Sequence, residues 1–277
     1  MKHWMKKINT SNTLPLTGET DSILSVRNIS YEIENTKLIH DITLDIPKGS
    51  FVGIIGPNGS GKSTLLKTIY RAHQASEGCI YLNGHEMNHM TNKEMARQMA
   101  VVSQENAINF DFSVMEIMMI GRYANRSFLS KNEADDQNIC EDALASVDML
   151  EFKNRSFLSL SGGEKQKVLI ASAFSRKPEL IVMDEPTNHL DVGYQFLILD
   201  LMKNQKDRTI FTSIHDMNMA MQYCDEIIAI KDGKVYCVGT PQEVLTPENL
   251  KELFHVKAEI LEIPGQRPYI RYVGAVL

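Results

Sequence analysis

The stretch that most constrains this chain is Gly56-Pro57-Asn58-Gly59-Ser60-Gly61-Lys62-Ser63-Thr64, which fills every fixed position of the pattern G-x-x-x-x-G-K-[ST]. Such a stretch works only as a loop between a buried strand and a helix. Its flanks supply both: Phe51-Val52-Gly53-Ile54-Ile55 is apolar and rich in β-branched residues, and Thr64 to Tyr70 suits a helix. Gly56, Gly59 and Gly61 let the backbone curl with its N–H groups turned inward, so they can donate to a phosphate without side chains intervening. Lys62 adds a mobile cation, the helix start adds the positive end of its dipole, and the Ser63 hydroxyl can ligate Mg²⁺. The loop implies a bound nucleotide, and the remaining sequence must say what that nucleotide drives.

The chain of 277 residues, 43% of them hydrophobic, has room for one large α/β domain or two small ones with a buried core. A net charge of -6 argues against a dedicated nucleic-acid binder. No stretch approaches the ~20 apolar residues of a membrane span, so any membrane role is expected to run through a partner. The start, Met1 to Lys7, is charged but runs into Asn9-Thr10-Ser11-Asn12-Thr13 instead of an apolar segment, and does not read as a signal peptide. Residues 1–22 are polar, carry Pro15 and Gly18, and are expected to form an extension outside the fold. Cys79, Cys140, Cys224 and Cys237 form no C-x-x-C pair and are expected to be small, reduced core residues.

Ordered structure is expected near Ile23. Leu24 to Ile33 and Ile42 to Ile46 alternate as half-exposed antiparallel strands do. Tyr31 has two local readings, a core-packing aromatic or a platform for a nucleotide base. Beyond the Asn83-Gly84 turn, His85-Glu86-Met87-Asn88-His89 matches H-E-x-x-H letter for letter. That motif binds zinc only on a regular helix, and here it starts at a turn with no apolar neighbours at helical spacing, so it is not expected to be a metal site. Thr91 to Glu94 is a capping box, and Ala100 to Ser103 reads as a strand. From Gln104 to about Leu160 the pattern turns helical, with a cap at Ser113 and a second helix over roughly Glu133 to Asp148. Met115, Met118 and Met119 are either a soft docking face or ordinary core filling.

A second constellation begins at Leu160-Ser161-Gly162-Gly163-Glu164-Lys165-Gln166. Ser161 and Glu164 form a capping box, which leaves Gly162 and Gly163 in a first helical turn with bare N–H groups at its positive end. A plain cap does not account for two adjacent glycines, which weaken the helix they open. Leu180-Ile181-Val182-Met183 is a continuous apolar run ending in Asp184-Glu185, as a buried parallel strand ends at a ligand-binding edge. One carboxylate can hold Mg²⁺ while the next orients or deprotonates an attacking water. Strand Thr209 to Ser213 likewise ends just before His215-Asp216. Ile227 to Val238 reads as a hairpin over Asp232-Gly233, and Thr240-Pro241 and Thr246-Pro247 each open a helix.

These segments, in this order, resemble the ATP-binding cassette subunits of ABC transporters from about Ile23 to the C-terminus. The markers are independent: the phosphate loop, the signature L-S-G-G-E-x-Q at Leu160 to Gln166, and the acidic strand end at Leu180 to Glu185. The resemblance implies an α/β fold, a RecA-like P-loop NTPase core (23–103 and 162–240) with an N-terminal antiparallel β subdomain, an inserted helical subdomain (104–161) and a C-terminal tail (241–277). It makes Tyr31 the aromatic that stacks on adenine, Gln104 the Q-loop residue, Asp191 the D-loop residue and His215 the switch histidine. It also implies that two copies pair head to tail, so that ATP on residues 56–64 of one is closed over by Ser161, Gly162 and Gly163 of the other. Glu185 then polarises the attacking water, His215 contacts the γ-phosphate, and Ser63, Gln104 and Asp184 serve the Mg²⁺.

A finer resemblance comes from Ile120-Gly121-Arg122-Tyr123, His215-Asp216-Met217-Asn218-Met219-Ala220 and Gly239-Thr240-Pro241-Gln242-Glu243-Val244-Leu245. These are similar to the ATPases of importers for iron-siderophore, haem and cobalamin. The departures keep charge or bulk: Lys165 and Lys167 where arginines are common, Met217 and Met219 where leucines are. The partners implied are a second copy, transmembrane permease subunits gripped by the helical insertion, and indirectly an extracytoplasmic solute-binding protein, with this chain at the cytoplasmic face of the membrane. An exporter or metal-ion importer cassette would carry the same ATP chemistry. Soluble translation or repair cassettes usually place two cassettes in one chain or a long coiled coil between halves, and neither is visible in this sequence.

Overall fold

The computed structural model describes residues 22–103, 110–125, 133–188, 190–205 and 207–276. Residues 1–21 of the expected extension, Gln104 and His189 lie outside them. The chain enters on β1 (Ser22–Ile33) and β2 (Thr36–Pro47), a hairpin over Glu34 and Asn35 at φ 48° and 62°, as a tight two-residue turn demands. Strand β2 starts six residues earlier than its alternation foretells. Thr36, Lys37, His40 and Asp41 hide the pattern, yet this half pairs with β1 through Tyr31↔Ile39, Glu32↔Lys37 and Ile33↔Thr36.

Next come β3 (Phe51–Ile55), α1 (Lys62–Ile69), β4 (Glu77–Leu82), β5 (His85–Glu86), α2 (Asn92–Gln98) and β6 (Met99–Val102). The helices α3 (Val114–Gly121), α4 (Glu133–Ala145) and α5 (Gly162–Ser175) follow, then β7 (Leu180–Met183), α6 (Val192–Lys203), β8 (Thr209–Ser213) and α7 (Met217–Tyr223). The chain closes with β9 (Glu226–Lys231), β10 (Lys234–Gly239), α8 (Pro241–Val244), α9 (Pro247–Phe254), β11 (Val256–Leu261) and β12 (Tyr269–Ala275). In the motif H-E-x-x-H, His85 and Glu86 form β5 while Met87–His89 is a 3-10 turn with Met87 buried. The two histidines therefore share no helical face.

Among the described residues the strands form sheets in the orders β2-β1-β4-β5, β10-β9-β3-β8-β7-β6 and β11-β12. The first is antiparallel, and in the second β9, β3, β8, β7 and β6 run parallel. The central sheet is buried on both faces, which is why its strands read as unbroken apolar runs. Successive residues split between two cores, as the two-residue period of a strand requires. Ile54, Val182 and Phe211 pack toward α1 and the antiparallel sheet, while Ile55, Ile181 and Ile210 pack with residues of α5, α6 and α7. A third core joins α3, α4 and α5 through Val114, Met118, Cys140, Leu144, Phe157 and Val168. Met118 is buried there and Met115 and Met119 pack against it, so core filling is what these methionines do. The four cysteines are free, with Cys140 and Cys224 buried. Among the described residues no helix is long and apolar enough to cross a membrane.

The helical layer is tied to the sheet layer by Arg122, just past α3. Its Nε and Nη2 donate to Asp136 Oδ1 of α4 at 2.9 and 2.7 Å, and its Nη1 donates to Ser175 O at the end of α5. Both partners of this pair are nearly buried, at 10% and 13% exposure. Removing one partner strands the other charge, so Arg122→Met is expected to cost about 3–5 kcal/mol, read as a lowered unfolding midpoint in urea.

Candidate nucleotide-binding site

Of the expected site residues, the phosphate loop, Asp184, Glu185 and His215 gather at the carboxyl ends of three adjacent strands, β3, β8 and β7. Parallel register sets Met183 beside Thr212 and Thr212 beside Gly53. The phosphate loop, the residues before His215 and the Asp184-Glu185 pair therefore emerge side by side.

At Gly56 and Gly61 the loop passes so close to its neighbours that a Cβ is excluded. Gly56 has φ 155°, and a Cβ there would lie 2.2 Å from Ile230 O. Gly61 has φ 100°, and its Cβ would lie 2.9 Å from Ile39 Cγ2. The β9–β10 turn braces the loop: Gly233 N donates to Ser60 O at 2.9 Å, and His40 N of β2 donates to Gly233 O at 2.8 Å. The Ser60 hydroxyl is buried without a partner. Lys62 is buried, and its Nζ donates to Gly56 O at 2.8 Å and Pro57 O at 3.1 Å. Burial pulls its pKa below the ordinary lysine value, and the nearby charges of Glu185 and Asp184 oppose that pull. A phosphate on the loop would compete for the same three ammonium protons.

Asp184 is buried and accepts on Oδ1 from Ser63 Oγ at 3.1 Å and Ser213 Oγ at 2.9 Å. Burial pushes its carboxyl above the usual carboxylate range despite these two donors, so a nearby cation would be welcome. Glu185 follows at φ 52°, a region that non-glycine residues rarely adopt. Its N–H donates to Ser213 Oγ at 2.6 Å, its Oε2 accepts from Asn188 Nδ2 at 2.8 Å, and its Oε1 meets His215 Nε2. His215 stands directly after β8, ahead of α7, whose N-cap is Asp216. Neither Asn188 nor Ser213 stood out in the sequence. Asn188 fits no local pattern beyond a turn, and Ser213 reads as one more strand residue, so only the pairing of β8 with β7 reveals its contacts.

The capping box at Ser161 and Glu164 forms, with Gly162 and Gly163 in the first turn of α5. Ser161 caps α5 by accepting from Glu164 N at 3.4 Å, while Glu164 Oε2 accepts from Ser161 N at 2.7 Å. Ser161 and Gly162 are exposed, and a Cβ at Gly162 would meet nothing within 4 Å. Lys167 is buried with its ammonium 5.3 Å from the Tyr194 ring centre, so its charge is used in packing. Asp191 is the exposed N-cap of α6 without a side-chain capping bond. Tyr31 lies apart from this assembly. Its ring stacks on His73 at 4.7 Å and 10°, past the carboxyl end of α1, while its ladder partner Ile39 abuts Gly61. One ring face is thus taken by histidine, and stacking on a base requires the other face or a rotation away from His73.

A buried parallel sheet whose strands end in a phosphate loop, an Asp-Glu pair and a histidine defines a P-loop nucleoside triphosphatase. The chain belongs to the ABC transporter family, whose model matches residues 39–188, and it is a nucleotide-binding ATPase of that family. It is 37% identical over 244 residues to the iron(3+)-hydroxamate import ATP-binding protein FhuC of Bacillus subtilis, covering 87% of this chain and 91% of that one. It is 30% identical over 250 residues to the ferric enterobactin transport ATP-binding protein FepC of Escherichia coli, covering 88% and 92%. Among solved structures it resembles an inward-facing ABC transporter of the metal-chelate type, with TM-score 0.77, 26% identity and coverage of 92% and 98%. It also resembles a dimeric ATP-binding cassette in a post-hydrolysis state with ADP and phosphate, with TM-score 0.69, 27% identity and coverage of 79% and 98%.

Since no Cβ fits at Gly56, Gly56→Ala is expected to push the loop off Ile230 and weaken ATP binding by about tenfold or more, in line with backbone strain of ~1–3 kcal/mol. Fluorescent-nucleotide titration measures the affinity, and circular dichroism checks that the fold persists.

Proposed function

We propose that this chain is the ATP-hydrolysing subunit of an importer for metal chelates (iron-siderophore, haem or cobalamin), and that it works as a head-to-tail pair on membrane permease subunits. The observation that carries the hydrolytic part of this reading is the Glu185 carboxylate, held at the end of β7 in contact with His215 and beside the phosphate loop; likeness to siderophore and cobalamin import ATP-binding proteins supports the rest. When ATP sits on residues 56–64, His215 turns its Nε2 from Glu185 to the γ-phosphate. That frees Glu185 Oε1 to take the proton of an attacking water, while Asn188 keeps the other oxygen in place. Lys62 leaves its own loop carbonyls for the phosphates. Tyr31 serves as the adenine platform, and Asp191 lies at the seam between copies.

The oxygen donors Ser63 and Asp184, with oxygens 3.1 Å apart, suit a hard divalent cation, and with Gln104 they would hold Mg²⁺, which when bound would supply positive charge against that developing on the phosphates. The opposite copy supplies the Ser161 side chain and the first-turn N–H groups of Gly162 and Gly163 at the start of α5. Neither anion site is complete alone, so hydrolysis removes the charge that joins the copies and they part.

The docking face for the permease is a groove of about 380 Å³ between the sheet edge and the helical layer, lined by Phe110, Phe112, Ile117, Ile120, Leu169 and Arg176. Phe110 is 72% exposed and nearby Tyr123 74%, an apolar rim suited to a permease helix. The division into core, helical subdomain and tail belongs to this reading. So do the cytoplasmic-face location and the indirect link to a solute-binding protein, for the relatives are named as import ATP-binding subunits.

Glu185→Gln is expected to bind ATP normally but lose about 10²–10⁴-fold in turnover; near-parent turnover removes Glu185 from the mechanism. A pull-down from detergent-solubilised membranes with this chain as bait is expected to return a polytopic permease. Recovery of ribosomes or DNA-repair factors instead overturns the transport assignment and leaves the ATPase chemistry standing.

A further inference from the structure

The hydroxyl of Ser213 touches both carboxylate-bearing residues at once. It donates to Asp184 Oδ1 at 2.9 Å and accepts from the Glu185 N–H at 2.6 Å. Ser213 is fully buried at the end of β8, and β3 on its other side receives Ile214 N on Ile54 O at 3.1 Å. The direction of its proton is settled by its neighbours. The Glu185 N–H can only donate and takes one lone pair of the hydroxyl, while the O–H is directed at Asp184 Oδ1.

We propose that Ser213 is a positioning residue for hydrolysis, one hydroxyl that sets the angle between the metal-side carboxylate of Asp184 and the water-side carboxylate of Glu185. The proposal rests on the roles given to these carboxylates above. Its second support is the backbone of Glu185, which sits at φ 52° with a side chain that gains nothing from that region. The bond to Ser213 Oγ is what its N–H receives in that conformation. Without the hydroxyl, Glu185 is free to relax toward ordinary φ, which swings its carboxylate off the line set by Asn188 and His215. Asp184 loses one of its two hydroxyl donors at the same time, and keeps only Ser63, the residue that must also serve the cation. One substitution thus disturbs both halves of the site, although Ser213 itself touches neither water nor phosphate.

The test compares Ser213→Ala, Ser213→Thr and Glu185→Gln in the full chain. Ser213→Ala is expected to lower kcat by roughly ten- to hundredfold, as small misplacements of reacting groups do, a larger change than the rise in KM for ATP. The affinity for ATP in EDTA is expected to stay at the parent value, while the gain in affinity on adding Mg²⁺ shrinks several-fold. Ser213→Thr, which keeps the hydroxyl, restores both. A folded Ser213→Ala with parent kcat and parent Mg²⁺ dependence overturns the proposal, as does a loss that Ser213→Thr fails to restore. If Ser213→Ala does not fold, Ser213→Cys, of similar shape and weak hydrogen bonding, is read by the same criteria. Glu185→Gln separates the two claims: parent turnover there sinks the role of Glu185, whereas its inactivity beside an unaffected Ser213→Ala sinks only the role of Ser213.

Discussion

The register of β7 on β8 and of β8 on β3 decides where the phosphate loop, Asp184, Glu185 and His215 lie. Met183 stands beside Thr212 and Thr212 beside Gly53, so Asp184, Ser213 and the chain entering the phosphate loop leave the sheet together. A slip of one residue would turn Asp184 and Ser213 to opposite sides and expose half of each core face to the wrong layer. That slip is blocked by burial on both faces, since Ile181 and Val182, or Ile210 and Phe211, belong to different cores. Packing that looks remote from chemistry therefore sets the geometry of the site.

Several groups at that edge are held where an isolated chain would not put them. Lys62 and Asp184 are buried charges whose protonation equilibria are both pushed toward the neutral form. Glu185 occupies a left-handed backbone conformation, and the Ser60 hydroxyl is buried without a partner. Departures from local preference cluster at sites whose surroundings compensate them. In the proposed reaction the phosphates of a nucleotide and their cation would supply what these groups lack: anions for Lys62 and Ser60, and a positive charge for Asp184.

What the sequence made legible was local. The phosphate loop, the capping boxes at Thr91, Ser113 and Ser161, and the Asp232-Gly233 hairpin each depend on residues within a few positions, and each formed as read. The first half of β2 was missed because its polar residues face outward and only pairing with β1 makes it a strand. Ser213 and Asn188 were missed for a related reason: their partners lie on a neighbouring strand end and across a turn, and nothing in their local pattern names them. Tyr31 shows the converse, because a family pattern supplied a role while the fold placed its ring on His73. The place of the Gly162-Gly163 pair at the start of α5 was legible, whereas the role proposed for it requires a second molecule.

A composite site needs that second molecule, and sedimentation of Glu185→Gln tests the pairing most directly. With ATP and Mg²⁺ the variant is expected to sediment as a dimer, to fall back to monomer with ADP, and to lose the ATP-dependent dimer when Ser161→Arg is added. A variant that binds ATP yet stays monomeric, or a dimer indifferent to both nucleotide and Ser161, would contradict a composite site shared between two copies.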